Sequence, residues 1–166
     1  MKILMVNKFL YPAGGAETYA FKLGEYWKKH GHEVEYFGMH HPKNIVGNRW
    51  NLYCDSMDFH KKGIGANLTN PFKLIYSVEA KRKIRYILNV FQPDVMHINN
   101  FNYQLTPSIL TAVQEYRRQY GKKIRVIYTA HDSQLVCPNH YMYSPSQRHV
   151  CEKCLHGSYW HCVSGR

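Results

Sequence analysis

Acidic residues are scarce in this chain. Eleven Asp and Glu stand against twenty-two Lys and Arg, which leaves a formal charge of +11. That balance favours phosphate-rich partners: nucleic acid, an anionic membrane surface, or a phosphorylated lipid or sugar. Long apolar runs are missing too. The longest are strand-length and broken by lysine, so no membrane-spanning segment is expected. Lys2 is followed by only four apolar residues before Asn7-Lys8, too few for the core of a secretory signal, and a cytoplasmic chain is the resulting expectation. Asn67-Leu68-Thr69 would then go unmodified. There is no internal repeat and no low-complexity segment, and neither G-x-G-x-x-G nor a P-loop occurs. Those absences exclude repeat architectures and the two commonest glycine-rich phosphate signatures. The 166 residues suffice for one domain with a real core.

What is present is an alternation of strand and helix patterns. Lys2–Val6 reads as a buried parallel strand, because it is apolar without periodicity. Gly14-Gly15 reads as a tight turn into a helix over 15–30, with Ala16, Tyr19, Ala20, Leu23 and Trp27 on its apolar face. A glycine pair there suits a turn needing positive φ and lets an anion approach the helix N-terminus, where a Cβ would obstruct both. A second strand is expected over 33–38, followed by a long irregular stretch over 40–70. A helix over 71–92 would bury Phe72, Ile75, Tyr76, Ile84, Ile87, Leu88 and Phe91 and carry the basic run Lys81-Arg82-Lys83-Ile84-Arg85. That run reads as a solvated face, or as a docking surface for the inner leaflet of a membrane. A strand over 94–98, a helix over 107–120 capped by Thr106 with Pro107 at its first position, and a strand over 124–128 complete the pattern. The fold class is α/β: a Rossmann-like, doubly wound parallel sheet over 1–132, with a Cys/His-rich extension over 133–166. Ligands of such sheets bind beyond the carboxyl ends of the strands. The segments to inspect are therefore 7–15, 97–101 and 129–132.

Stretches at these three segments, together with the turn after the first helix, carry a family resemblance. Gly14-Gly15-Ala16-Glu17 after a strand, and Lys29-His30-Gly31-His32-Glu33-Val34 closing the first helix, resemble the start of a family 4 retaining glycosyltransferase. Pro93-Asp94-Val95-Met96-His97-Ile98-Asn99-Asn100 is similar to another segment of that family, as is His131-Asp132-Ser133-Gln134-Leu135-Val136-Cys137-Pro138 with its later C-x-x-C. The resemblance implies the N-terminal, acceptor-side domain of a GT-B enzyme. It also implies a nucleotide-sugar donor and a saccharide or lipid-linked acceptor, as in hexosyl transfer and polysaccharide biosynthesis. Gly14 and Gly15 would then lie against the donor's diphosphate or sugar, and His131 beside the anomeric centre as the catalytic candidate.

Read from the residues themselves, Asn99 and Asn100 close a strand and are placed to touch substrate, while His97 reads as a satisfied buried histidine. Asp132 is carried as a substrate-facing acceptor, although capping of the following turn explains it better. Cys137, Cys151, Cys154 and Cys162 have the spacing C-x13-C-x2-C-x7-C, which suits four thiolates around a structural zinc ion. Reduced thiols, disulfides or an iron–sulfur cluster are the alternatives, and His140, His149, His156 or His161 could replace one cysteine. Cys54 stands apart as a buried or free thiol.

The family's donor-binding C-terminal half, with its E-x7-E motif, has no counterpart here, so turnover by this chain alone is not expected. A C-terminal partner domain or subunit would complete it, with peripheral membrane contact through the basic helix. A different class of function, a zinc-stabilised nucleic-acid-binding module, is allowed by the charge, the fourteen tyrosines and the cysteines. Against it, the basic residues are dispersed and no nucleic-acid motif appears.

Overall fold

The computed structural model describes residues 1–55, 75–102, 104–137, 139–144 and 148–152. The chain divides into two compact units, Met1–Thr129 and Ala130–Arg166. In the first unit, β1 (Lys2–Val6), α1 (Gly15–Lys29), β2 (Glu33–Phe37), α2 (Val78–Phe91), β3 (Val95–Ile98), α3 (Ser108–Tyr120) and β4 (Arg125–Tyr128) follow one another. The strands pair in parallel in the order β2-β1-β3-β4. Successive connections therefore leave β1 in opposite directions, and the seam between β1 and β3 is the switch point of the sheet.

Alternation along the strands sends side chains to two faces, and helices cover both. On one face Leu4, Val6, Phe37, Met96 and Ile98 pack with Ile84, Ile87, Leu88 and Phe91 of α2 and with Ile109, Ala112, Val113 and Tyr116 of α3. On the other face Ile3, Met5, Val34 and Tyr36 meet Ala20 and Phe21 of α1, with Leu10 beside them. Each large side chain buried this way contributes about 1.5–3 kcal/mol relative to exposure.

The face of α1 differs from the periodicity reading. Glu17, Ala20, Phe21 and Gly24 are its buried residues, while Tyr19 is exposed. The reason is close approach: Gly24 lies over the Tyr36 ring, where a Cβ would come within 1.9 Å of the phenol oxygen. α2 is capped by Ser77, whose hydroxyl accepts the Ala80 N–H, and it ends at Gln92 with φ 53°. Its Ile84, Ile87, Leu88 and Phe91 are buried as expected, but Ile75 is 71 % exposed and Tyr76 is also exposed. Phe72 lies outside the described residues.

At α3 the cap moves by one residue to Pro107. Thr106, at φ 57°, ties two helix starts together instead. Its buried hydroxyl accepts the N–H of Ser77 at 2.9 Å and donates to the Ser108 hydroxyl, which in turn donates to the Ser77 carbonyl. Gly121, at φ 62°, ends α3 in the left-handed conformation that a glycine adopts without steric cost.

The described part of the long irregular stretch is pinned to β2. Tyr36 N–H donates to the Gly47 carbonyl, Cys54 N–H to Gly38, and His40 N–H to Cys54. The Asn48 amide, itself buried, donates to the carbonyls of Tyr36 and Leu52. Cys54 is buried there, and burial, aided by the nearby Glu79 charge, pushes its thiol up to about 12. In the second unit, β5 (Tyr143–Ser144) and β6 (His149–Val150) form a short antiparallel pair.

Candidate functional site

The carboxyl ends of β1 and β3 meet at the switch point, and hydrogen bonds continue the seam beyond the strands. Asn99 N–H donates to the Val6 carbonyl, Lys8 N–H to Asn100, and Met39 N–H to Lys8. Asn7, almost fully buried, organises the end of this seam. Its Oδ1 accepts the Asn100 N–H at 3.0 Å, and its Nδ2 donates to the Phe9 carbonyl and to Oε1 of Glu17 at 3.1 Å. Glu17 is only 4 % exposed and sits in the first turn of α1, where a carboxylate is favoured by the helix dipole. One amide and one carboxylate thus fasten the glycine turn to the ends of two strands.

Gly14 and Gly15 are therefore held at the crevice, although not by the backbone reason their identity suggested. Gly14 is extended at φ −173°, and positive φ among the described glycines occurs at Gly31 and Gly121. Nor do their surroundings within the chain exclude a side chain: a Cβ on Gly14 would make an ordinary 3.4 Å contact with Glu17 Oε2, and Gly15 faces open space, with nothing within 4 Å of the position a Cβ would take. The start of α1 is accordingly accessible to an anion, whose charge the exposed N–H groups would favour.

Of the two asparagines at the end of β3, Asn99 is fully buried and Asn100 half-buried. His97 is buried within β3, shares a 2.7 Å hydrogen bond with the Thr129 hydroxyl, and packs against the rings of Trp27 and Tyr19. This is a core histidine, as its strand position suggested, with its hydrogen bond made through Nε2.

His131 and Asp132 belong to the second unit. His131 is half-buried. Asp132 is exposed, and its Oδ1 accepts the Gln134 N–H at 2.9 Å, which caps the turn that follows. The Cys137 thiol is buried and donates to Asn139 Oδ1. Cys151 is half-buried, and Cys154 and Cys162 lie outside the described residues. Among the described residues no three His, Cys, Asp or Glu side chains gather as a metal site. Two of the four expected thiolates therefore have positions here, and the zinc set does not follow from them.

The basic run of α2 is neither a plain solvated face nor a free docking surface. Lys81 and Arg85 both pair with Glu115 of α3, at 2.6 and 2.8 Å, and Lys83 pairs with Glu79. The Lys81 hydrogen bond, with the Lys81 and Arg85 charges behind it, holds the Glu115 carboxyl below its usual range. Arg82 alone of the run faces outward as an exposed residue.

Sequence reasoning passed over Asn7, Glu17 and Lys8 as site residues. The available signal was the polar break that ends an apolar strand at Asn7-Lys8, and an acid placed where the helix should have been apolar.

The chain matches the model of Glycosyltransferase Family 4 over residues 13–164. No curated protein matches it significantly. Among solved structures, sucrose-phosphate synthase from Thermosynechococcus elongatus is similar at 15 % identity with a TM-score of 0.49, over 93 % of this chain. The chain spans 38 % of the length of that structure.

Proposed function

The chain belongs to glycosyltransferase family 4, and from that premise we propose that it forms the acceptor-side half of a GT-B enzyme that moves a sugar from a nucleotide-sugar to a saccharide or lipid-linked acceptor. The observation that carries this reading is the fastening of Gly14-Gly15 at the switch point by Asn7 and Glu17. It keeps an accessible helix start where the diphosphate or sugar of a donor would lie. Asn100 offers a half-buried amide at the same crevice. His131 is assigned the catalytic position beside the anomeric carbon, and Asn99 and Asp132 secondary roles toward substrate. Turnover needs a donor-binding half, carried by the same polypeptide or by a partner subunit, in a cytoplasmic setting.

The test is transfer from a panel of radiolabelled nucleotide-sugars by the chain joined to its donor-binding half. Donor-dependent label in an acceptor fraction, lost in His131→Ala with the fold intact, is the expected result. Full transfer by that variant would remove His131 from the site, and no transfer from any donor would overturn the proposal. A structural zinc ion on Cys137, Cys151, Cys154 and Cys162 is part of the same reading, supported by their spacing. Elemental analysis of protein purified without chelator should give about one zinc per chain. A metal-free, fully folded preparation would rule the ion out.

A further inference from the structure

Beyond the strand ends used above, three rings from two different loops form a row at the carboxyl side of β1 and β2. Phe9 and Tyr11 lie 5.3 Å apart between centroids, and Tyr11 stacks on His41 at 4.3 Å with 29° between planes. All three are half-buried, so each keeps part of its surface in solvent. The loops that carry them are fixed. Leu10, between Phe9 and Tyr11, is fully buried, and its carbonyl accepts the N–H groups of Ile45 and Val46. The Asn44 amide donates to the Met39 carbonyl, two residues before His41. At one end of the row the Lys8 ammonium lies 5.1 Å from the Phe9 ring centre, and no carboxylate among the described residues forms an ion pair with it. The Lys8 backbone is bonded on both sides, to Asn100 and to Met39, so its side chain springs from the rigid end of the central strand.

Preset rings with a few polar groups beside them are the ordinary lining of a small-molecule site. Rings of this kind attract the C–H face of a pyranose, whose hydroxyls stay free for amides and water, and a lysine supplies a point charge for an anionic substituent. The geometry points to a sugar subsite on Phe9, Tyr11 and His41, for a saccharide ring that carries a phosphate or carboxylate facing Lys8. This rests on the glycosyl-transfer reading above and specifies the chemistry of one substrate.

The test is saturation-transfer NMR on the chain with glucose, glucose 6-phosphate and glucuronate at millimolar concentration, with inorganic phosphate as competitor. Transfer to sugar ring protons is expected for the two anionic sugars and more weakly for glucose. Tyr11→Ala and, separately, His41→Ala should abolish it while far-UV circular dichroism and the thermal midpoint stay unchanged. Lys8→Gln should weaken glucose 6-phosphate binding about tenfold and leave glucose unaffected. Glucuronate binding that matches glucose 6-phosphate marks a general anionic sugar site, and binding by one of them alone fixes the anion. No transfer from any of the three sugars, or unchanged transfer in both ring variants, would overturn the subsite. So would full displacement by phosphate with no glucose signal, which would leave only an anion site. The label-transfer assay reports separately. Turnover without sugar at the rings defeats only the subsite, and sugar at the rings without turnover defeats only the transfer reading.

Discussion

Two glycines show how differently a single added methyl group would act. At Gly38 a Cβ would sit 2.2 Å from the backbone carbonyl oxygen of Asn7, with Leu10 carbons at 2.8 and 3.0 Å. Relief would require parting the ends of β1 and β2, where Asn7 N–H donates to Phe37 and Met39 N–H to Lys8. Gly38→Ala is therefore expected to cost about 3 kcal/mol or more in chemical denaturation, at the upper end for overpacked cores. At Gly24 the obstacle is the phenol oxygen of Tyr36, the far end of a side chain, and Gly24→Ala should cost about 1–2 kcal/mol. Equal losses in the two variants would show that the strand ends can yield. Cys54 and Tyr36 make a second, pH-dependent statement. Burial pushes each up to about 12, with Glu79 adding to the effect at Cys54 and Glu25 at Tyr36. Both groups hold their protons more tightly folded than unfolded. Their contribution is thus complete below their ordinary values near 9 and 10, and it is lost as pH rises toward 12. The urea midpoint should be flat up to about pH 8.5 and fall steadily above it; a midpoint unchanged to pH 11 would contradict this. Both expectations live in side chains that no periodicity marks as special.

At the scale of elements, α2 carries two surfaces with different fates. Its basic side chains turn toward Glu115 and Glu79, which joins it to α3 and to itself. Glu115→Gln should lower the thermal midpoint modestly at low salt, with the difference from the parent shrinking in 0.5 M salt as screening grows (a Debye length of about 4 Å). A salt-independent loss would instead indicate packing. The outward face holds Val78, Arg82, Tyr86 and Val90 at helical spacing, with Val78 70 % and Tyr86 50 % exposed. If peripheral membrane contact runs through α2, this face, with Arg82, makes it, and the paired Lys81, Lys83 and Arg85 do not. Val78→Asp should then reduce co-sedimentation with anionic vesicles more than Lys83→Gln does; the reverse order would return the contact to the basic run. Most strand and helix ends were readable within a residue or two, because strands such as β1 are continuous apolar runs and the helices repeat their core residues every three or four positions; the exception is α2, expected from residue 71 but starting at Val78 behind its Ser77 cap. What periodicity missed on α1 was a carboxylate facing inward at Glu17. Its reason lies ten residues earlier, in the Asn7 amide. The pairing of basic residues with Glu115 was hidden for the same cause: it depends on which helix lies alongside.

For the molecule as a whole, the charge of +11 is what remains after every acid has been subtracted, so the ion pairs of Arg49 with Glu35 and Glu33 and those along α2 fix where some basic side chains lie and leave the excess itself untouched. Doubly wound α/β organisation was legible throughout the first unit. The site was legible only in part: the glycine turn could be placed from the sequence, whereas Lys8 and the row from Phe9 to His41 come together only when the loops after β1 and β2 meet. His131 and Asp132 lie just past Thr129, where the second unit begins.

The seam between β1 and β3 runs past the last strand residues through Lys8, Asn100 and Asn7 before it ends. Among the described residues, that floor is hydrogen-bonded before any ligand arrives. Association there should forfeit little chain entropy, and its heat-capacity change should follow the apolar area covered, without the excess that accompanies folding upon binding. Encounter at this floor is then expected at a rate set by diffusion and charge, without a step in which the bonded strand ends rearrange.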